Sequence, residues 1–441
     1  MSDGSGPNPR TAVDLSPMGW RQWFAIGITT ALNALDGIDV LSVSYAAPGI
    51  ARDWSLGPAT IGWILSMELL GMALGSIVLG GVADRLGRRT TILASLVIMA
   101  VGMLGASHAA GVNELLSWRL LTGLGIGGML PAINAVASEL ANNRWRNLAM
   151  SLMVIGYPLG GALGGLAVQR LYASGGTWRT VFEAGALLTV IFVPIVALLL
   201  VEPPAWLDKR KGLAAANRAL HRLGLPAAET PSGPAEVRQV PLVAIFSPEL
   251  RAATLTVTAA YFLHVTSFYF MIKWTPKIIA GLGYLPAQAA QTLALANVGG
   301  ALGGTLLGLL ALRFSVKRLT TLTLVGTFCA VGAMGLVPVR LDTLGALVFA
   351  AGFFGNAGIG GLYLLFADVF PTPMRGTGAG FAIGVGRGGA VIAPVLAGYL
   401  FSAGLNLSWV ALALGTGSIL AALLLANLRG ANNPIQQGTI A

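Results

Sequence analysis

Charge is scarce in this chain. Of 441 residues only 10% are Asp, Glu, Lys or Arg, while 55% are hydrophobic; an average soluble domain carries about 25% charged residues. Nearly all of that apolar content must face lipid or lie inside a helix bundle. Cysteine is almost missing: Cys329 is the single one, which excludes an intrachain disulfide and a thiolate metal cluster. His108, His221 and His264 are the only histidines and lie far apart, a pattern unsuited to zinc. No cofactor and no metal are expected.

What the chain does contain is a series of windows of about 20 residues almost free of charge, the length a helix needs to cross a bilayer. Twelve are legible: 22–46, 60–83, 90–108, 114–138, 147–171, 179–201, 251–275, 287–312, 318–338, 343–367, 377–401 and 407–427. The first follows a polar leader and is too long for a signal-peptide core, so it is expected to remain in the mature protein. The fold class is therefore all-α integral membrane, with twelve transmembrane helices. Of the 27 Lys and Arg, 19 fall on the side of this topology that holds both termini. Basic residues stay cytoplasmic, so both termini are expected in the cytoplasm of a cell whose inner (plasma) membrane holds the protein. The net charge of +10 is spread over short loops beside the spans, which points to topology and anionic lipid rather than to nucleic acid.

One long polar interruption, 202–250, divides the spans six and six. The expected organisation is a cytoplasmic N-terminal segment 1–21, a six-helix bundle 22–201, a cytoplasmic central loop 202–250, a second bundle 251–427 and a cytoplasmic tail 428–441. Sliding the chain by 228 residues brings Pro48 onto Pro276, Pro58 onto Pro286, and "ALGSIVLG" (73–80) onto "ALGGTLLG" (301–308). A shift of 229 puts Glu139 and Arg146 on Asp368 and Arg375. The ordered series supports two pseudo-symmetric halves made by parallel duplication, an architecture common among transporters.

Between the second and third spans runs "GGVADRLGRRT" (80–90). Asp84 with Arg85, Arg88 and Arg89 at a helix junction suits an interdomain charge latch, and Gly87 allows a tight turn. The counterpart "GLLALRFSVKR" (308–318) has Leu312 in place of the acid, so any latch is asymmetric. Glu139 and Asp368 each precede an arginine, Arg146 and Arg375, by seven residues; state-dependent salt bridges are their expected role. The run Gly123, Gly125, Gly127 and Gly128 lies inside an apolar helix with no strand before it, so helix packing explains it better than nucleotide binding. Glycines at every fourth residue, Gly156–Gly160–Gly164 and Gly376–Gly380–Gly384–Gly388, serve either close packing or gating.

The G-x-x-x-D-R-x-G-R-R loop resembles the signature of the major facilitator superfamily. "DGID" (36–39), "WRTVFEAGALL" (178–188), "FPTPMRGTGAG" (370–380) and "GRGGA" (386–390) look like the aromatic acid:proton symporter family, with Ile38 where that family has an aromatic residue. The resemblance covers the whole chain. It implies a proton-coupled importer of aromatic carboxylates such as hydroxybenzoate, protocatechuate or vanillate. Asp36, Asp39, Asp84, Arg119, Glu139 and Arg387 match functional positions of that family.

The charges within the spans support a transport site independently. An isolated ion at the bilayer centre costs at least ~2.5–3.5 kcal/mol, so such groups pair or face water. Asp36 and Asp39 share a helical face, and their repulsion and loss of hydration suit a proton carrier. Asn33, a turn earlier, is close enough in sequence to add a polar contact. Glu68 is either a second proton site or a structural hydrogen-bond donor. Arg387, among glycines that leave room for a ligand, has the planar fork that grips a carboxylate. Arg119 steers anions, holds Asp39 or snorkels to the interface. His264 stands where the repeat places Asp36, with Tyr261 and Phe268 on its face; the three either contact an aromatic cargo or fill a helix interface.

The expected cycle is alternating access by a monomer whose partners are a small-molecule carboxylate, protons and the lipid bilayer. Whether one proton or two accompany the cargo stays open at this level. So do three rivals: an importer of muconate-like or other organic acids, a proton-driven exporter of drugs or metabolites, and an intramembrane enzyme, although no Ser/His dyad or cofactor motif lies in the spans. A purely structural membrane scaffold has little use for central carboxylates.

Overall fold

The computed structural model of the protein describes residues 6–232, 241–338 and 340–428. The expected C-terminal tail beyond residue 428 and part of the central loop lie outside them. The described residues are helical: α1 (Pro9–Leu15), α2 (Trp20–Asp53), α3 (Pro58–Val78), α4 (Gly80–Leu86), α5 (Arg88–His108), α6 (Val112–Leu140), α7 (Arg146–Ala173), α8 (Trp178–Leu199), α9 (Pro204–Lys211) and α10 (Leu213–Leu223) come before a 3-10 turn, Leu242–Phe246. Then follow α11 (Arg251–Gly281), α12 (Pro286–Leu310), α13 (Val316–Ala333), α14 (Leu341–Val369), α15 (Arg375–Ser402) and α16 (Leu407–Asn427).

Among the described residues eleven helices are long and apolar enough to span a membrane. The ninth expected span, 318–338, corresponds to α13, which has 18 residues and begins "VKRLTTLT", too polar to meet the same standard. Local chemistry sets the helix ends. Pro58 starts α3 at a position where its missing N–H costs nothing, and the Asn406 side chain accepts the Trp409 N–H at 3.1 Å to start α16. Gly87, at φ +104°, breaks the chain between α4 and α5, a conformation that a residue with a Cβ avoids. The second expected span, 60–83, is interrupted at Leu79, so α3 and α4 are separate helices. The first spanning helix, α2, is much longer than the 22–46 window because Pro48 is accommodated inside it, as membrane helices allow.

The described residues divide into two compact units, the first within Met1–Val237 and Thr275–Ala294, the second within Arg238–Trp274 and Leu295–Ala441. In the first, α2 pairs with α7, α3 with α6, and α5 with both α6 and α8. Glycines make these approaches possible: a Cβ at Gly37 would overlap the Tyr157 carbonyl, and one at Gly71 the Leu120 carbonyl. Gly123 and Gly127 meet the carbonyls of Glu68 and Met72 in the same way, so the fourth-span glycines are helix-packing residues. Gly156 and Gly160 press on the Thr30 and Ala34 carbonyls, and Gly164 receives Ile38. In the second unit α13 packs on α14 and α16. The stripe on α15 behaves differently from that on α7: Gly376, Gly380 and Gly384 have nothing within 4 Å of a would-be Cβ.

The central loop is more ordered than its composition suggests. Helices α9 and α10 pack against α1, and the Glu229 N–H donates to the Pro7 carbonyl at 2.9 Å.

Candidate functional site

Asp36 and Asp39 lie on α2, Glu68 on α3 and Arg119 on α6, and all four side chains are fully buried. Small residues draw them together. Gly123 seats α6 on the Glu68 carbonyl, and a Cβ at Gly185 of α8 would sit 3.3 Å from Asp39 Oδ1. The Arg119 guanidinium forms an ion pair with Glu68. Its Nη2 also donates to the Asp39 backbone carbonyl at 3.3 Å, and its Nη1 to Met103 Sδ at 3.0 Å. The guanidinium carbon stands 5.1 Å from the centre of the Phe182 ring, an arrangement that favours a cation.

Asp39 Oδ2 accepts a long 3.5 Å hydrogen bond from Thr189, whose hydroxyl lies closer to the Gly185 carbonyl, at 2.8 Å. Asp39 Oδ1 and both carboxyl oxygens of Asp36 are buried with no hydrogen-bond partner among the described residues. Asp36 feels the charges of Asp39 and Glu68, and Asp39 those of Glu68 and Arg119. Asn33 turns away from the acids and donates to the Met153 carbonyl at 2.8 Å. The structure thus unites the three carboxyl groups that the sequence singled out for protons, and adds Arg119 to them. Of the readings open for Arg119, snorkelling is excluded because the side chain is fully buried. Its charge is engaged by Glu68.

In the second unit His264 of α11 is also fully buried, but both its ring nitrogens are occupied. Nδ1 is 2.9 Å from Ser418 Oγ and Nε2 is 2.9 Å from the Gly355 carbonyl. The carbonyl requires an N–H at Nε2, so Nδ1 of the neutral ring accepts from the serine hydroxyl. The two positions that the internal repeat equates therefore differ: the histidine is satisfied and Asp36 is not. Phe268 is buried against Gly355. Tyr261 lies on Gly386, edge-on to Phe366 at 5.6 Å, with its hydroxyl 3.0 Å from that of Tyr363. Arg387 follows Gly386, is partly buried, interacts electrostatically with Tyr261, and forms no ion pair among the described residues.

At the α4–α5 junction Arg88 pairs with Asp84 at 3.1 Å and with Glu139 at 3.0 Å. Arg89 donates to the Val196 carbonyl at 3.4 Å and to that of Ala197, whereas Arg85 is exposed. Sequence reasoning missed Glu202. Its carboxylate accepts the backbone N–H groups of Arg88 at 2.5 Å and Arg89 at 3.1 Å, capping the N-terminus of α5, where a helix favours an anion. Burial pushes Glu202 above the ordinary carboxylate range, and those two N–H bonds oppose the shift. An acid just past a span end was the available signal, but its partner lies over a hundred residues away.

Arg146 pairs with Asp14 at 3.1 Å rather than with Glu139. Asp14 is also held by Arg10 at 2.8 Å, and Arg10 Nη1 donates to the Glu139 carbonyl at 2.8 Å. Asp368 and Arg375 are exposed and form no ion pair among the described residues. The charge network thus belongs to the motif that has Asp84.

Comparison with known proteins places the chain in a family. The family model of the Major Facilitator Superfamily matches residues 29–360. The chain is 32% identical to the 3-(3-hydroxy-phenyl)propionate transporter of Escherichia coli (strain K12), covering 94% of this chain and 96% of that protein. It is 30% identical to the gallate transporter of Pseudomonas putida, with 94% of each covered, and 29% identical to the 4-hydroxybenzoate transporter PcaK of Pseudomonas aeruginosa, with 94% and 95% covered. Among solved structures, that of a D-xylose-proton symporter superposes with a TM-score of 0.70 at 17% identity, covering 92% of this chain and 97% of the other; this likeness speaks to the fold. These relatives are transporters and not enzymes. The chain is a multi-pass membrane protein of the major facilitator superfamily and belongs to its aromatic acid:proton symporter family.

Proposed function

We propose that the protein imports aromatic carboxylic acids across the bacterial inner membrane together with protons, as a monomer with both termini cytoplasmic, by alternating access of its two six-helix halves. One observation carries the reading: Asp36 is fully buried, with neither carboxyl oxygen hydrogen-bonded among the described residues. An ionised aspartate there costs at least ~2.5–3.5 kcal/mol, a penalty that binding a proton removes. Proton exchange at Asp36 and Asp39 is therefore coupled to whether the site is closed or open to water.

Arg387 supplies the cargo contact. Among the described residues no carboxylate pairs with it, and a guanidinium grips a carboxylate with two parallel hydrogen bonds. Tyr261 lies beside it, and an aromatic ring suits an aromatic cargo. His264 and Phe268 are left out of the contact set, because the histidine has both nitrogens bonded and the phenylalanine is packed on Gly355. Relatives that carry 4-hydroxybenzoate, gallate and 3-(3-hydroxy-phenyl)propionate support the aromatic class. The charge pairs around Arg88 are proposed to open and close with the transport state.

The test is uptake by proteoliposomes of labelled 4-hydroxybenzoate, gallate, benzoate and a muconate under an inward proton gradient. Accumulation that collapses with a protonophore is expected, and Asp36→Asn should abolish uphill uptake. Expulsion of the acids instead would establish the exporter, and gradient-independent uptake would refute the coupling.

A further inference from the structure

The buried cluster of the first unit holds three carboxyl groups and one cation. Arg119 is paired with Glu68, and its hydrogen bonds go to a backbone carbonyl, from the same Nη2, and to a thioether, from Nη1, not to the Asp36 or Asp39 carboxyls. The remaining charged groups on the helices around α2 are engaged or remote. Arg179 of α8 donates to the Ser107 and Ala109 carbonyls. Glu183 of α8, Arg170 of α7 and Glu114 of α6 are exposed, and Arg146 of α7 is held by Asp14. Arg52 and Asp53 close the far end of α2, paired with each other. The guanidinium therefore compensates one carboxylate, and two are left. Uncompensated ions in a site without water are the costliest arrangement.

We propose that the cluster carries two protons per cargo anion: Asp36 and Asp39 are the proton load, and Glu68 is the resident counterion that occupies Arg119 and thereby fixes the count. This deepens the transport reading above and rests on it. Each bound proton converts one carboxylate to a carboxylic acid, and both protons leave to the cytoplasm when the site opens there. With a monovalent aromatic acid the cycle moves one net positive charge inward, so the membrane potential as well as the pH gradient drives import. Glu68 is a positioning residue in this scheme and does not shuttle protons.

The experiment uses the full-length protein in proteoliposomes with 4-hydroxybenzoate as probe, and gallate and benzoate as further arms. With no pH gradient, a tenfold potassium gradient set with valinomycin, inside negative, should give about tenfold accumulation for one net charge. A gradient of one pH unit without potential should give about a hundredfold accumulation. Accumulation of about tenfold per pH unit, with no response to potential, means one proton and overturns the inference while leaving the transport reading intact. Failure of every acid to accumulate overturns the transport reading and the inference with it.

Glu68→Gln leaves one cation against two carboxyl groups, so the neutral cluster then holds one proton: the response to potential should vanish. Glu68→Gln with Arg119→Gln removes the pair and should restore the two-proton ratio, which a merely structural role of Glu68 does not predict. A variant that does not transport is read by the protons taken up per 4-hydroxybenzoate bound in weakly buffered detergent solution. Unchanged stoichiometry in Glu68→Gln overturns the role given to Glu68.

Discussion

Gly160→Ala is the sharpest test of how the carboxylate helix is held. Gly160 of α7 faces α2 so closely that a Cβ would overlap the Ala34 carbonyl oxygen and come within 2.6 Å of Ala34 Cα, where ordinary contact begins at 3.4 Å. The obstacle is backbone and cannot rotate away, so the helices must part by at least about 0.8 Å. Overpacking of this kind costs ~1–3 kcal/mol; alanine returns ~0.8–1.0 kcal/mol through its higher helix propensity. With an unyielding neighbour the upper range applies, and a net loss of about 1–2 kcal/mol follows. That is roughly a 5–30-fold fall in the folded-to-unfolded ratio.

Gly384→Ala is the matched control. It lies on the α15 stripe with nothing within 4 Å of the new methyl, so only the propensity gain of about 0.5–1 kcal/mol remains. Thermal unfolding of both variants in one detergent, followed by circular dichroism, should separate them on opposite sides of the parent. Uptake should also weaken in Gly160→Ala, because Ala34 is two residues from Asp36 on α2. A Gly160→Ala protein as stable as Gly384→Ala would refute the claim that the α7 glycines set the α2–α7 distance.

Arg387→Ala is expected to raise the KM for aromatic acids at least tenfold, since a charge-assisted bidentate contact is worth ~1.5–3 kcal/mol; unchanged KM in initial-rate uptake would remove Arg387 from the site. His264→Ala should lower stability by ~1–3 kcal/mol for each polar group it strands, Ser418 Oγ and the Gly355 carbonyl, while the surviving protein keeps its KM; a raised KM at full stability would return the histidine to the cargo. Glu202→Gln tests the cap on α5. A carboxyl group held above its unfolded pKa stabilises the fold most at low pH, and that contribution is lost as pH rises from the unfolded value, near 4.5, through the raised folded one. Melts across this range should show the slope in the parent and a flatter profile in Glu202→Gln; identical profiles would show that Glu202 does not titrate with folding.

How much was legible in advance follows from range of interaction. Spans, glycine-packed helices, the DRxGRR turn and the suspect carboxyl groups are local signals, carried by windows of about 20 apolar residues or by a charge where charge is costly. Glu68 and Arg119 were both conspicuous alone, yet nothing in the order of residues says that α3 and α6 meet at Gly123 and join them. Arg146 follows Glu139 by seven residues, as Arg375 follows Asp368 in the repeat, but the fold pairs it with Asp14, brought over by the short helix α1. The same duplication that equates Asp36 with His264 is silent on their fates, because hydrogen-bond satisfaction depends on what packs opposite: Ser418 and Gly355 for one, and for the other no hydrogen-bond partner among the described residues.

Composition and periodicity thus decided that this chain lives in a membrane as helices and carries a few expensive charges. Tertiary packing decided which of those charges neutralise one another. The physical reason is distance: burial can be read from a segment's own apolarity, whereas a Coulomb partner a few ångströms away is supplied by another helix.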